Sequence, residues 1–312
     1  MVEEKVVQLV KQYFPQELQA MLLPYQTSFA SLQEIRCRVG QPLFLRFAQN
    51  KEQAVTDSLS ATQMQHLVSR ITQGSIYAWE EELRRGYLTL PGGFRVGLTG
   101  KAVLEHGQIR TLKQISALNF RIVREVLGIA DPLMPLIYHH EQVKNCLIVS
   151  PPGGGKTTLL RDLVRQLSNG VPSLSKQGYT VAVVDERSEL AGSMDGVAQL
   201  DVGCRTDIID GCPKSEGIQM LLRSMAPQVI AVDEIGTEQD VIALEAASQS
   251  GTAVIATAHG ASMETLYCHP VLSKLITAQY FSLIVFLTWD QGIVRFTPMM
   301  EKRGATYESI FS

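Results

Sequence analysis

SPPGGGKTT, Ser150 to Thr158, follows directly on the apolar run CLIVS (146 to 150) and leads directly into a segment with helical spacing. A buried strand, a glycine loop and a helix in that order make a phosphate cradle. Gly153, Gly154 and Gly155 let backbone amides curl round an anion, and the helix N-terminus adds its dipole. Lys156 is then placed to reach the β and γ phosphates of a nucleoside triphosphate, and the Thr157 hydroxyl to ligate Mg2+. The expected cofactors are ATP and Mg2+, and the expected nucleotide-binding set is Ser150, Pro151, Pro152, Gly153, Gly154, Gly155, Lys156, Thr157 and Thr158. Ser150 stands where such loops ordinarily begin with glycine. A structural glycine turn is the plain alternative; the Lys-Thr pair and both flanking elements argue against it. Guanine is disfavoured because no Asn-Lys-x-Asp segment follows the loop.

Downstream, short and nearly continuous apolar runs recur: TVAVVD (180 to 185), VIAVD (229 to 233), TAVIATA (252 to 258) and SLIVFL (282 to 287). Such runs fit parallel strands covered on both faces, and helical candidates, notably Lys156 to Leu167 and Thr237 to Gln249, lie between them. The alternation predicts an α/β fold, an open and mostly parallel sheet with helices on both sides. QGIVRFT (291 to 297) follows SLIVFLTW across Asp290-Gln291-Gly292 and reads as an antiparallel hairpin at the sheet's end.

A nucleotide-hydrolysing site also needs a carboxylate at the end of another buried strand to hold the metal, partly through its water shell. VIAVDEIG supplies Asp233 for that role, with Thr157 as the second metal-side oxygen, and Glu234 as candidate base for the attacking water. TVAVVDERSEL places Asp185, Glu186, Arg187 and Glu189 at another strand end, where open α/β sheets bind ligands. Glu186 or Glu189 competes with Glu234 for the base, and the order of residues does not rank them. TAVIATAHG places Thr257 and His259 just beyond a further strand, positioned to sense the γ-phosphate. The candidate catalytic residues are therefore Glu234, Glu186, His259 and Lys156. Ala191 to Gly217, polar and rich in Asp and Gly, reads as a long loop that contains Arg205 and leads to Arg223.

Residues 1 to 130 follow a different pattern, a smaller α+β domain preceding the nucleotide-binding domain at 131 to 312. Residues 2 to 13 and 60 to 72 have helical spacing, the second opened by Ser60 as N-cap. EIRCRV (34 to 39) and PLFLRF (42 to 47) alternate about Gly40-Gln41 and predict a hairpin, and Tyr87 to Lys113 is strand-rich with glycine turns. Asp131-Pro132 reads as a helix start for DPLMPLIYH.

At 312 residues with 45% hydrophobic and 19% charged, the chain can bury a sizeable core, which excludes disorder and fibrous classes. The net charge of -3 excludes a general nucleic-acid coat, yet it conceals an asymmetry: residues 1 to 140 carry 15 basic and 12 acidic side chains, residues 141 to 312 carry 13 and 19. Between Arg84 and Arg124, eight Lys/Arg stand against Glu105 alone, so the segment is a candidate for arginines that reach a neighbouring subunit's phosphates or acidic face, for an anionic-lipid surface, for an ordinary solvated face or, ranked last, for nucleic acid. Five cysteines at scattered spacings suggest neither a disulfide framework nor zinc, and the simple reading is a reducing cytosol. The acidic N-terminus is unlike a signal peptide, and the most apolar stretch, Leu275 to Trp289, is short of the roughly 20 residues a membrane span needs, so any membrane role is peripheral.

The order of phosphate loop, Asp-Glu-Arg strand end, Asp-Glu strand end and Thr-Ala-His-Gly resembles the RecA-like and secretion-type branch of P-loop ATPases, in which an Asp box follows the loop and a His box follows the metal-binding carboxylate. EIRCRVGQPL, GGFRVGLTGKAV, ISALNFRIVREV, SPPGGGKTTLLRDLVRQLS, VAVVDERSEL and DGCPKSEGIQMLLRSMAPQVIAVDEIG are similar, more narrowly, to a family of sporulation ATPases of endospore-forming bacteria, from about residue 30 to the end. The resemblance implies a RecA-like core and a hexameric homo-oligomer with ATP between subunits. It also implies a cytoplasmic protein, peripheral to the membrane on the mother-cell side, that acts with membrane-embedded components of a channel or secretion complex facing the forespore. Lys156, Thr157 and Asp233 carry over to phosphate and Mg2+ binding, and His259 to the His box. Arg121, Arg124, Arg205 and Arg223 match the family's inter-subunit arginines only loosely. A RecA-type nucleic-acid motor and a nucleotide-switched scaffold with little turnover are the competing readings.

Overall fold

The computed structural model describes residues 2–75, 79–290, 293–302 and 306–309. The chain forms two compact units, Met1–Arg124 and Glu125–Ser312.

The first unit runs α1 (Val2–Tyr13), α2 (Gln16–Leu22), a 3-10 stretch (Leu23–Ser31), β1 (Leu32–Arg38), β2 (Phe44–Phe47), β3 (Glu52–Ala54), α3 (Ala61–Ile71), α4 (Glu80–Arg85), β4 (Tyr87–Leu90), β5 (Phe94–Glu105) and β6 (Gln108–Arg121). Its strands form one antiparallel sheet in the order β3-β2-β1-β6-β5-β4. The hairpin expected about Gly40 is β1 and β2, with Ile35 opposite Leu45. Alternation decides which face is covered: Phe94, Val96 and Leu98 of β5 and Leu118 and Phe120 of β6 join the core, where Val6, Leu9, Val10 and Tyr13 of α1 meet them. Ser60 caps α3 as expected, its hydroxyl accepting from Gln63 N (3.1 Å) while Gln63 Oε1 accepts from Ser60 N (2.9 Å), a reciprocal capping box.

The second unit continues with α5 (Met134–Ile137), β7 (Tyr138–His139), β8 (Gln142–Val143), β9 (Cys146–Ser150), α6 (Lys156–Asn169), β10 (Val181–Asp185), β11 (Thr206–Asp210), α7 (Lys214–Ser224) and β12 (Val229–Val232). It ends with α8 (Glu238–Gln249), β13 (Ala253–His259), α9 (Met263–Cys268), α10 (Leu272–Thr277), β14 (Leu283–Asp290), β15 (Ile293–Lys302) and β16 (Thr306–Ser309). The sheet order among the described residues is β11-β10-β12-β13-β9-β14-β15-β16. The first six strands are parallel, and β15 and β16 close the edge antiparallel. The expected hairpin after β14 is present as β14–β15; Gln291 and Gly292 of its turn lie outside the described residues.

This is the open parallel α/β sheet that the alternating runs imply, and it agrees with the RecA-like core that the resemblance implies. Strand β9 shows why those runs are continuous: Leu147 and Val149 face a core lined by α7, α8, α9 and α10, whereas Cys146 and Ile148 face one lined by α5 and α6. The apolar stretch 275 to 289 is divided between α10 and the buried strand β14, and no described helix is long and apolar enough to cross a membrane.

Two expectations are corrected. Asp131 does not start a helix; residues 127–133 form turns and α5 begins at Met134. The would-be cap has tertiary partners instead: Gln166 Nε2 donates to Asp131 Oδ1 (2.7 Å), and the Ala130 amide donates to buried Asp162 (2.9 Å). The segment Ala191 to Gly217 is not loop throughout, because it contains β11 and the start of α7. TDIID pairs in parallel with β10 as an edge strand, so its residues are only half-buried and its two aspartates are tolerated where a central strand would exclude them.

Candidate functional site

The glycine loop between β9 and α6 is held by backbone conformation at two glycines and by space at the third. Gly153 and Gly155 have φ of 74° and 86°, the left-handed region that side-chain-bearing residues rarely adopt, and Gly155 is the N-cap of α6. A Cβ on Gly154 would come within 2.7 Å of Ser150 Cβ and 3.0 Å of Pro151 O. Ser150, buried, closes the loop from inside: its hydroxyl donates to Pro151 O (2.9 Å), and its own carbonyl accepts from Gly260 N (3.3 Å). Pro151 and Pro152 are exposed on the rim, and Thr158 lines a shallow depression with Glu125, Arg161, Asp162 and Asp201.

Sheet order supplies the rest of the site. β13 lies between β9 and β12, and its register sets His259 opposite Ser150 and Ala256 opposite Val232. The end of β13 therefore stands between the phosphate loop and the Asp233-Glu234 pair. Thr157 Oγ1 donates to Asp233 Oδ2 (2.7 Å), and Thr257 donates its hydroxyl to Asp233 Oδ1. Lys156 Nζ donates to Ser150 O (3.1 Å) and Pro151 O (3.4 Å) and meets His259 Nδ1 at 3.0 Å. His259 Nε2 lies 3.0 Å from Glu234 Oε1, and Arg187 Nη1 lies 2.9 Å from Glu234 Oε2. With Lys156 donating to Nδ1, the imidazole carries its hydrogen on Nε2 and gives it to Glu234.

The result is a continuous chain from Arg187 through Glu234 and His259 to Lys156, beside a Thr157–Asp233–Thr257 bridge. Burial holds the Lys156 ammonium below the ordinary lysine value, an effect that the Asp233 and Glu234 carboxylates oppose. Glu234 has φ of 52°, a backbone state that costs a non-glycine residue about 1–2 kcal/mol, and Arg187, His259 and the Thr257 hydroxyl hold it there.

Among the sequence candidates, Lys156, Thr157, Asp233, Glu234 and His259 converge. Glu186 does not join them: it is ion-paired with Lys214 at the start of α7. Asp185 turns inward rather than toward the sheet's mouth. Its carboxylate accepts from the amides of Glu189 (2.9 Å), Leu190 (2.9 Å) and Ala191 (2.8 Å), and burial pushes its pKa up to about 6 against the pull of those donors. Thr257 and His259 lie within β13 rather than beyond it, and Thr257 is fully buried.

Two residues escape a sequence reading. Arg161, buried in α6, donates to Leu190 O (2.6 Å) and Glu189 O (2.7 Å), so the 185–191 turn is clamped by Asp185 on its amides and by Arg161 on its carbonyls. Asp162 holds Arg165 (2.7 Å). Arg187, expected only as one of the charged residues past β10, faces Glu234. The available signal is a charged Arg-Asp pair interrupting the apolar face of α6. Of the loosely matched arginines, Arg205 donates to Ser168 O (3.0 Å) and Arg124 to Leu32 O (3.1 Å), each within its own unit.

Sheet order and the helices on both of its faces define an α/β protein with a RecA-like core. The chain is similar to the Legionella pneumophila ATPase DotB, with a TM-score of 0.62 and 16% identity over 94% of this chain and 83% of that one. It is likewise similar to the pilus retraction motor PilT with bound ADP, at 0.62 and 14% over 91% and 84%. At these identities the likeness is one of fold. The sequence is more specific: residues 3–307 match the family Sporulation stage III, protein AA, and the chain belongs to it. Stage III sporulation protein AA of Bacillus subtilis (strain 168) is 40% identical over 283 residues, 88% of each chain.

Proposed function

We propose that the protein is an ATP-hydrolysing motor that works as a homo-oligomer, a hexamer, and energises a membrane-associated channel or secretion complex between mother cell and forespore during sporulation. The observation that carries this reading is the contact between Thr157 and Asp233. Two residues 76 positions apart bring hard oxygen donors together at the mouth of a glycine loop, the donor chemistry that Mg2+ with nucleotide phosphates requires. The loop fits phosphate because its glycines leave the backbone amides uncovered. When bound, Mg2+ supplies charge neutralisation on the phosphate oxygens.

The chain's own residues do the remainder. Lys156 leaves the Ser150 and Pro151 carbonyls for phosphate oxygens. Glu234, oriented by Arg187 and His259, accepts the proton of the attacking water, and it is favoured over Glu186 because Lys214 occupies the latter. His259 touches both Lys156 and Glu234, so displacement of Lys156 toward phosphate is felt at the base. Family membership supports the sporulation role. The test is Mg2+-dependent ATP turnover by the assembled protein. Parent activity should be lost in Lys156→Ala, and equal rates in the two proteins would overturn the reading.

A further inference from the structure

The turn that carries Asp233 and Glu234 leaves the sheet at Val232, while its neighbour β13 runs on to His259. Every polar group of Thr257 that faces this turn is engaged. Its hydroxyl donates to Asp233 Oδ1 and accepts from Glu234 N (2.8 Å), and its carbonyl accepts from Ile235 N (2.8 Å). Three consecutive residues are thus strapped to one side chain and its backbone. The other oxygen of Asp233 accepts from Thr157, so the Thr157 and Thr257 hydroxyls hold the same carboxylate from two sides. Thr257 has no exposed surface, so direct contact with a γ-phosphate is closed to it.

We propose that Thr257 is a positioning residue of the hydrolytic site, fixing the rotamer of Asp233 and the left-handed backbone of Glu234 through a single hydroxyl; this rests on the ATPase reading above. The hydroxyl is suited to the task because it donates and accepts at once, meeting a carboxylate on one side and an amide on the other. Valine has nearly the same shape but lacks both functions, leaving a carboxylate oxygen and an amide without this partner in a half-buried place. Serine keeps both and lacks only a methyl group.

The experiment compares parent, Thr257→Val and Thr257→Ser in steady-state ATP hydrolysis over a Mg2+ titration, with folding checked by thermal melting. Removing an orienting partner behind a metal ligand costs about 10- to 100-fold in activity or metal affinity. Thr257→Val should lose kcat by that factor and need more Mg2+ for half-maximal rate, with KM for ATP within about threefold, as expected when a transition-state interaction is removed. Thr257→Ser should recover most of the rate. Should Thr257→Val fail to fold, Thr257→Ala carries the same expectation. Parental kcat and Mg2+ requirement in the hydroxyl-less variant would overturn the proposal alone, as would Thr257→Ser being as impaired as Thr257→Val. A parent protein without Lys156-dependent turnover would remove the ATPase reading, and this proposal with it.

Discussion

Replacing Gly154 with alanine adds one methyl group at the tightest point of the phosphate loop. The new Cβ would lie 2.7 Å from Ser150 Cβ and 3.0 Å from Pro151 O, and real Cβ atoms essentially never come within 3.0 Å of another heavy atom. Neither neighbour is the free end of a long side chain: Ser150 is buried and bonded to Pro151 O, and Pro151 O is backbone. The loop itself must give way. Overpacking by a methyl costs typically about 1–3 kcal/mol. If that distortion falls on the phosphate-binding conformation, nucleotide affinity drops by roughly 5- to 150-fold.

Ser150→Gly removes the contacts with the Ser150 Cβ and Oγ, so the double variant Ser150→Gly/Gly154→Ala should recover part of the loss, leaving the strain against Pro151 O. The assay is titration of each protein with a fluorescent ATP analogue in Mg2+, arranged as a double-mutant cycle. Parental affinity in Gly154→Ala would refute the reasoning. So would an equal loss in the Ser150→Gly background, because the residue standing at the loop's first position would then have no part in setting its shape.

Glu234→Gln should lower ATP turnover by about 100-fold or more, the scale of a general base, while Glu186→Gln costs far less; the reverse order in a single-turnover assay would reassign the base. Asp185→Asn puts an amide donor against amides that now donate to a carboxylate, and should destabilise the protein by about 1.5–3 kcal/mol in denaturant melts, despite removing a buried charge. In the parent, Asp185 holds its proton more tightly when folded, because burial raises its pKa from 3.8 to about 6. Its contribution to stability is therefore full below pH 3.8 and declines as pH rises through 6. The asparagine variant should lack that component of the slope, and identical slopes would contradict it.

Local pattern was sufficient for a large part of this molecule. The strand, glycine loop and helix at 146 to 169 follow from neighbouring residues alone: apolar continuity, glycines that tolerate left-handed backbone, and a lysine and threonine at the helix start. The capping box at Ser60 and the hairpin about Gly40 are equally local. Where the chain's preference was overruled, a distant partner did it: Gln166 took the Asp131 carboxylate that would have capped a helix there. β11 went unread because an edge strand needs only one paired side, which lets polar residues into it.

The sequence by itself determined the parallel α/β sheet, the glycine loop between β9 and α6, and the family. Only the tertiary structure decided which carboxylate stands with the lysine. Asp185, Glu186, Glu189, Asp233 and Glu234 all lie at or just past strand ends, and nothing in the order of residues ranks them. The insertion of β13 between β9 and β12 brings His259 to Lys156 across 103 positions and sets Thr257 under Asp233. The same packing spends Asp185 on backbone amides and Glu186 on Lys214. Strand order arises from how whole helices cover the two faces of a sheet, a property of contacts between segments far apart in the chain, and so it is not written in any one stretch of it.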